Sequence, residues 1–301
     1  MTQPVSDAAL RHLQMVVDLP AVPPDQYEVQ EMLGRGGMGA VYRARDRELD
    51  RLVAIKVLGF HVTAANQGER LIREARILAR LEHPGIVPVH DVGVTADGRP
   101  YYVMKLVNGK NLDEYARDGL PLGTALQVFE RLCDAVAFAH AHEVIHRDLK
   151  PGNIMIGAFG EVLVMDWGVA KFAETAEPTG TVLGTPGYMS PEQARGDVAR
   201  TDRRSDIFSM GAILGFLLPR TAPAPLLAIS RKAAAPNPGD RYQTVTALAE
   251  DLSRFRSAQA VIAYPESLFD RARRVAWKYR VPLGLILAYV FMRMVLLLVR
   301  G

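Results

Sequence analysis

The chain has 301 residues, 36 basic against 33 acidic side chains for a net charge of +3, and 49% hydrophobic content, with a pI near 9.0. That apolar content excludes a disordered chain, and the single cysteine, Cys133, excludes an internal disulfide framework and suits a reducing compartment. The basic balance raises nucleic acid or an anionic membrane as a partner, but a sum does not say where the charge sits.

Residues 1–26 hold Asp7, Asp18 and three prolines by Pro23, with no apolar run behind a basic start. They read as an N-terminal leader and not as a secretory signal. Short β-rich runs follow at Glu31–Leu33, Ala40–Arg45, Leu52–Leu58, Val87–Val94 and Tyr101–Leu106, interrupted by one helix over Gln67–Leu81. Beyond Leu112 helical periodicity takes over, as in Leu122–His142, with a short β segment within Asn153–Met165. Ile207–Leu218 is an apolar helix too short to cross a bilayer and reads as core. A sheet-rich part, 27–107, followed by a helix-rich part, 108–258, predicts an α+β fold of two lobes meeting at a cleft.

The tail poses a different solvent problem. Val281–Val299 is 19 residues with one charge, Arg293, and twelve Leu, Ile, Val or Phe residues. Each of the twelve favours insertion by roughly 0.3 to 0.6 kcal/mol, against a cost of about 2.5 to 3.5 for a central Arg. The balance predicts a transmembrane helix; a buried or interfacial helix is the alternative. Arg271, Arg273, Arg274, Lys278 and Arg280 make 259–280 a basic juxtamembrane segment, with Trp277 and Tyr279 where an aromatic belt would lie. The positive-inside rule then puts residues 1–280 in the cytoplasm, as a single-pass protein of the inner or plasma membrane. The chain ends two residues past Val299, which fits a whole tail-anchored protein or the front of a longer receptor. Residues 271–301 hold seven basic side chains and no acidic ones, so 1–270 carry 29 basic against 33 acidic, a net of −4. The basic pI therefore points to the lipid bilayer and not to nucleic acid.

Gly34, Gly36, Gly39 and Val41 fit G-x-G-x-x-G-x-V. Glycines let backbone approach phosphate oxygens closely, although Gly-rich hairpins are common. The motif sits between two strands, which argues against a dinucleotide-binding turn. Lys56 follows Val41 by fifteen residues, in Val53-Ala54-Ile55-Lys56. Strand alternation sets Lys56 between the same-face neighbours Ala54 and Leu58, where an ammonium needs an anionic partner. Glu74 falls on the apolar stripe of its helix with Leu71 and Leu78. A Lys56–Glu74 ion pair satisfies both; two snorkelling surface residues are the alternative.

His146-Arg147-Asp148-Leu149-Lys150-Pro151-Gly152-Asn153, followed by Asp166-Trp167-Gly168, carries the strongest signal. With these motifs in order from Gly34 to Arg241, the sequence resembles a eukaryotic-type (Hanks-type) protein kinase, closest in style to the bacterial Ser/Thr kinases. The resemblance implies a bilobal protein-kinase-like fold with a β-rich upper lobe holding one helix, a helical lower lobe, and Mg-ATP as phosphoryl donor, with Mn²⁺ as an alternative ion. It implies that Asp148 takes the acceptor hydroxyl proton, that Lys150 contacts the γ-phosphate, and that Asn153 and Asp166 hold the metal. Lys56, positioned by Glu74, would grip the α- and β-phosphates. Adenine would lie between Val41 and Ala54 above and Met155 below, with Met104 as gatekeeper and the backbone of Lys105 and Val107 as hinge partners. Lys105 stands where most relatives are acidic, and Glu114 is a weaker candidate for the ribose. Leu78, Val89, His146 and Trp167 would stack as a spine joining the lobes. Trp167 replaces the usual phenylalanine, and Trp167→Phe should leave activity within about tenfold.

The segment Asp166–Glu192 matches the family's substrate-facing loop. Thr185 with Lys150 implies protein substrates bearing Ser or Thr. Arg147, whose guanidinium needs an anion, implies a phosphate-regulated loop with Thr179 and Thr181 as autophosphorylation sites, in trans within a homodimer; pairing of Arg147 to a carboxylate is the alternative. Glu192 and Arg241 match the pair that buttresses the lower lobe. Asp206 matches the residue that braces the catalytic loop, with an ordinary helix N-cap as the alternative. Only 35 positions separate Asp206 from Arg241, so the lower lobe is shortened near Pro219–Pro225. His140, His142 and His146 are a poor metal site for want of a fourth ligand. A catalytically inactive nucleotide-binding scaffold and a small-molecule phosphotransferase remain as competing functions.

Overall fold

The computed structural model describes residues 19–36, 39–58, 65–167, 171–172, 185–197, 201–267, 271, 285–286 and 288–295. Its upper lobe is a five-stranded antiparallel sheet in the order β1-β2-β3-β5-β4, formed by β1 Tyr27–Gly36, β2 Gly39–Asp46, β3 Arg51–Leu58, β4 Val89–Val94 and β5 Pro100–Lys105. Central β3 is buried from Val53 to Leu58 because both its faces are covered. Val53, Ile55 and Val57 join Ala40, Tyr42, Ala44, Tyr101 and Val103 on the outer face, capped by Leu19, Val22, Tyr27 and Val29. Residues 19–26, assigned from sequence to the leader, thus cover one face of the sheet; residues 1–18 lie outside the described residues. The inner face carries Ala54, Leu58, Tyr102 and Met104 into the main core, together with Leu71, Ala75 and Leu78 of helix α1, Ala65–Leu78.

Several boundaries differ from the sequence reading, some of them for local reasons. Helix α1 ends at Leu78, not Leu81, where the chain tightens into bonds from Arg80 N to Ile77 O and Leu81 N to Leu78 O. Strand β4 begins at Val89 because Pro88 has no N–H to give the ladder, although its carbonyl still accepts from Lys105 N at 3.1 Å. Strand β1 is longer than the run Glu31–Leu33, since it continues with bulges along β2 from Tyr27.

The lower lobe is built on α3, Leu122–Ala141, whose inward stripe includes Leu126, Phe129, Leu132, Val136 and Ala139. Before it lie β6, Gly109–Asn111, and the single-turn α2, Leu112–Tyr115. After it come β7, Val144–Ile145, then β8, Ile154–Gly157, and β9, Val162–Val164, a hairpin extended by β6 into a three-stranded sheet. Strand β10, Lys171–Phe172, pairs with β7. Helix α4, Pro191–Ala194, precedes α5, Arg203–Leu217, which is buried as the 3.6-residue pattern around Ile207, Met210, Ile213 and Leu214 requires. The shortening is visible here: α5 ends, Pro219–Pro223 turn the chain, and α6 starts at Ala224 and runs to Ala233. Gly211 lets α5 and α6 pack this closely, because a Cβ there would sit 2.5 Å from Ala234 N. Helix α7, Val245–Arg256, closes the lobe. Buried Asp251 accepts hydrogen bonds from Tyr242 Oη and from the amides of Ile262 and Ala263, fastening the chain that follows to α7.

Among the described residues no helix is long and apolar enough to cross a membrane. Residues 285–286 and 288–295 are helical, and Leu285, Ile286, Val290, Phe291 and Val295 are exposed. The rest of the expected span 281–299, and 272–280 before it, lie outside the described residues.

Candidate active site

Between the lobes lies a cleft of about 660 Å³. Its roof is the β1–β2 turn with Gly34, Gly39 and Val41, and β3 with Ala54 and Lys56. Its rear is Tyr102, Met104, Lys105, Leu106 and Val107, and its floor is Asp148, Lys150, Gly152, Asn153, Met155, Met165 and Asp166. Gly36 pairs with Gly39 at the base of the turn. A side chain at Gly39 is barred twice: its φ is +154°, and a Cβ would lie 2.0 Å from Val57 O. Glu114 is exposed on α2 and does not line the cleft.

Lys56 lies on the inner face of β3 and is nearly buried. Its Nζ donates to Glu74 Oε1 at 2.8 Å and Oε2 at 3.0 Å, and to Asp166 Oδ1 at 2.8 Å. Burial opposes the Lys56 charge, but the Glu74 and Asp166 carboxylates outweigh it and raise its pKa. Burial raises the Glu74 carboxyl, and the attraction of Lys56 offsets this only in part. For Asp166 burial pulls upward, and Lys56, His146 and Lys150 win, so its carboxyl sits below the ordinary range. Sequence reading missed Tyr102, whose Oη donates to Glu74 Oε1 at 2.8 Å. The signal was available: Tyr102 pairs with Lys56 across the β3–β5 ladder, and residues directly opposite on a ladder share a face.

The floor is a second polar network. Thr185 Oγ1 donates to Asp148 Oδ1 at 2.9 Å and accepts from Lys150 Nζ at 2.7 Å. Lys150 Nζ also lies 3.0 Å from Asp148 Oδ2. Asn153 Nδ2 donates to Asp148 O at 2.8 Å and to Asp148 Oδ2 at 3.1 Å, which turns its side-chain oxygen away from Asp148. Asp166 holds φ at +56°, a left-handed conformation that non-glycine residues seldom adopt, and its side chain is half exposed. Asp166 and Asn153 therefore offer two oxygen donors to the cleft. No group of three His, Cys, Asp or Glu side chains among the described residues could hold a metal alone. A two-oxygen set suits a magnesium ion that keeps waters and takes its other ligands from phosphate.

The loop that carries Asp148 is braced from below. Asp206 is buried in the first turn of α5, where it accepts from His146 N at 2.9 Å and Arg147 N at 2.8 Å, and lies 2.7 Å from His140 Nε2. The cap of that helix is a different residue, Asp202. His142 contacts Phe138 O and His146 contacts Met165 O, so each of the three histidines has a protein partner. The rings of His146 and Trp167 lie 4.5 Å apart. Leu78 and Trp167 share the core that Val89 packs against. The indole N–H, which a phenylalanine would lack, donates to Val164 O at 3.3 Å. Thr179 and Thr181 lie outside the described residues, and Arg147 is buried with φ +70°.

Glu192 and Arg241 form a bidentate pair at 2.6 and 2.8 Å, both fully buried. Ser205 Oγ donates to Glu192, and Arg241 donates further to the carbonyls of Ala235, Pro236 and Arg204. Burial raises the Glu192 carboxyl, but these donors outweigh it and hold its pKa down at about 2. Beside it, unforeseen in sequence, Gln193 donates to Arg147 O at 2.7 Å.

Residues 27–246 match the protein kinase domain family. The serine/threonine-protein kinase PknB of Mycolicibacterium smegmatis is 38% identical over 288 residues, spanning 83% of this chain and 46% of that protein. PknB of Mycobacterium leprae is 39% identical over 287 residues, with the same coverage. The serine/threonine-protein kinase PrkC of Bacillus subtilis is 41% identical over 198 residues, 64% of this chain and 30% of the relative. The aligned part of the chain spans less than half the length of these relatives.

Proposed function

This chain belongs to the protein kinase family, and on that premise we propose that it transfers the γ-phosphoryl group of Mg-ATP to serine and threonine hydroxyls of proteins. One observation carries the reading: a threonine hydroxyl, that of Thr185, rests between Asp148 and Lys150 on the floor of the cleft. An incoming hydroxyl in that neighbourhood finds Asp148 to accept its proton and orient it in line. Lys150 neutralises charge on the phosphoryl oxygens, which is where a loose phosphoryl-transfer transition state carries it. Lys56, kept charged by Glu74, binds the α- and β-phosphates. Asp166 and Asn153 would hold magnesium, which when bound shields negative charge on the phosphates. The apolar surfaces of Val41, Ala54, Met104 and Met155 take the adenine, with the hinge backbone of Lys105 and Val107 supplying hydrogen bonds.

The same reading extends to autophosphorylation at Thr179 or Thr181 within a transient homodimer, and to a membrane-anchored kinase whose catalytic part faces the cytoplasm. The run of apolar residues 281–299 behind five basic residues supports the anchor. So do the exposed apolar side chains of helical 288–295.

The test is label transfer from γ-labelled ATP by the full chain in detergent, beside Asp148→Asn. Transfer to Ser and Thr that the substitution abolishes supports the kinase. Nucleotide binding with no transfer by the native chain would instead identify an inactive scaffold. For the anchor, residues 1–280 should move from the membrane fraction to the supernatant, and equal partitioning of both chains would refute it.

A further inference from the structure

The backbone just before Asp148 is one of two strained stretches of the floor, the other being at Asp166. Arg147 holds φ at +70°, a region that side chains with a Cβ avoid, and such backbone persists only where its surroundings over-determine it. Asp206 secures two amides, those of His146 and Arg147. It does not reach the next peptide, which joins Arg147 to Asp148 and sets the direction in which the Asp148 side chain leaves the loop. That peptide is gripped at both ends by other groups. Its N–H, on Asp148, donates to His146 Nδ1 at 3.2 Å, and its carbonyl, on Arg147, accepts from Gln193 Nε2 at 2.7 Å.

The Gln193 amide has only one workable orientation. Its Oε1 faces two donors, Ser190 N at 3.2 Å and Ser190 Oγ at 2.9 Å, so its NH₂ must face the Arg147 carbonyl. Gln193 is 4% exposed, and its neighbour Glu192 is fixed by the two Arg241 bonds. The donor is thus buried, directed and rigid. It also links the end of the loop that carries Thr185 to the backbone that aims Asp148.

We propose that Gln193 is a positioning residue for phosphoryl transfer: it holds the Arg147–Asp148 peptide plane so that the Asp148 carboxylate faces the acceptor hydroxyl. The inference rests on the kinase reading above. Gln193 does not line the cleft, so its loss lowers kcat and leaves KM for ATP alone.

The experiment compares the full chain with Gln193→Met and Gln193→Glu, using Mg-ATP and a Ser/Thr protein substrate, with kcat normalised to the number of ATP-binding sites titrated. Both variants should lose about tenfold in kcat at pH 8, with KM for ATP within twofold of the native value. The carboxyl introduced by Gln193→Glu accepts from Ser190 but donates to Arg147 O only when protonated. Its deficit relative to the native chain should therefore shrink several-fold as pH falls towards 6, while that of Gln193→Met stays flat. A role confined to capping α4 would not produce that pH profile. Native-like kcat in Gln193→Met overturns the proposal, as does a Gln193→Glu deficit that ignores pH; if Gln193→Glu does not fold, the Gln193→Met value alone decides. A native chain that binds ATP and transfers no label overturns the kinase reading itself, a result distinct from either.

Discussion

Two buried ion pairs, one in each lobe, show opposite designs. Glu192 and Arg241 sit in the lower lobe with every available donor and acceptor turned inward, towards Ser205 and three backbone carbonyls. Lys56 and Glu74 sit at the wall of the cleft, and the lysine is shared with Asp166, a half-exposed carboxylate. The electrostatics follow the surroundings. Glu192 is held far below its ordinary pKa, at about 2, whereas Glu74 is raised, because burial there outweighs its one cation. A pair saturated by its own lobe stabilises structure. A pair whose cation also holds a half-exposed carboxylate at the cleft wall can exchange that contact for an anionic ligand.

Removing one member of the lower pair has the largest expected effect. Arg241→Met leaves Glu192 buried without its cation, which should cost about 3–5 kcal/mol, and denaturant unfolding of the full chain checks it. If stability changes by less than about 1 kcal/mol, the pair does not brace the lower lobe. In the upper pair, Lys56→Met should lower kcat by about 10²–10³, or roughly 3–4 kcal/mol of barrier, the usual loss for one preorganised charge contact, while the melting temperature moves little. Steady-state kinetics and thermal melts on one preparation decide it, and a matching loss of stability would erase the contrast.

Acid distinguishes the pairs by sign. Glu192 has a folded pKa of about 2 against an ordinary 4.5, so its contribution of about 3 kcal/mol is complete above the unfolded value and drains away as pH falls from about 5 towards 2. Glu74 is raised in the folded state, so the folded protein takes up its proton first and gains relative stability as that happens. Stability measured between pH 6 and 3 should therefore fall less steeply in Glu192→Gln than in the native chain, and no less steeply in Glu74→Gln. Equal slopes in the native chain and Glu192→Gln would place the acid lability elsewhere.

What could be read in advance follows the range of the interactions. Strand alternation on β3 and the stripe Leu71–Glu74–Leu78 are local, so two charges turned inward could be recognised from spacing alone, and the pair exists at 2.8 Å. The short partners of the lower lobe could not. Strands β6, β7 and β10 are two or three residues each, too short for periodicity, and exist only because distant chain supplies their pairing. The same holds for Gln193: nothing in its neighbours says that the Arg147 carbonyl, 46 positions earlier, will lie against it. Residues 19–26, likewise, carry no pattern that announces the sheet face they cover.

The smallest effect probes how far Glu74 depends on Tyr102 as well as on Lys56. Tyr102 gives Glu74 its third hydrogen bond, and with Nζ of Lys56 5.7 Å from its ring centre it also screens the cation from behind. Removing only the hydroxyl in Tyr102→Phe keeps the ring and deletes the donor. A bond to a charged acceptor is worth about 1.5–3 kcal/mol, but Glu74 retains both Lys56 contacts, so the expected loss of stability is at the lower end, about 1.5 kcal/mol. The carboxylate should then draw Lys56 more firmly to itself and away from phosphate, which appears as a two- to fourfold rise in KM for ATP with kcat little changed. If KM for ATP is unaltered while stability falls by the full amount, Tyr102 serves the packing of the sheet on α1 and has no part in sharing the lysine. A fall in kcat at constant KM would show instead that Glu74 orients Lys56 in the transition state more than in the bound ground state.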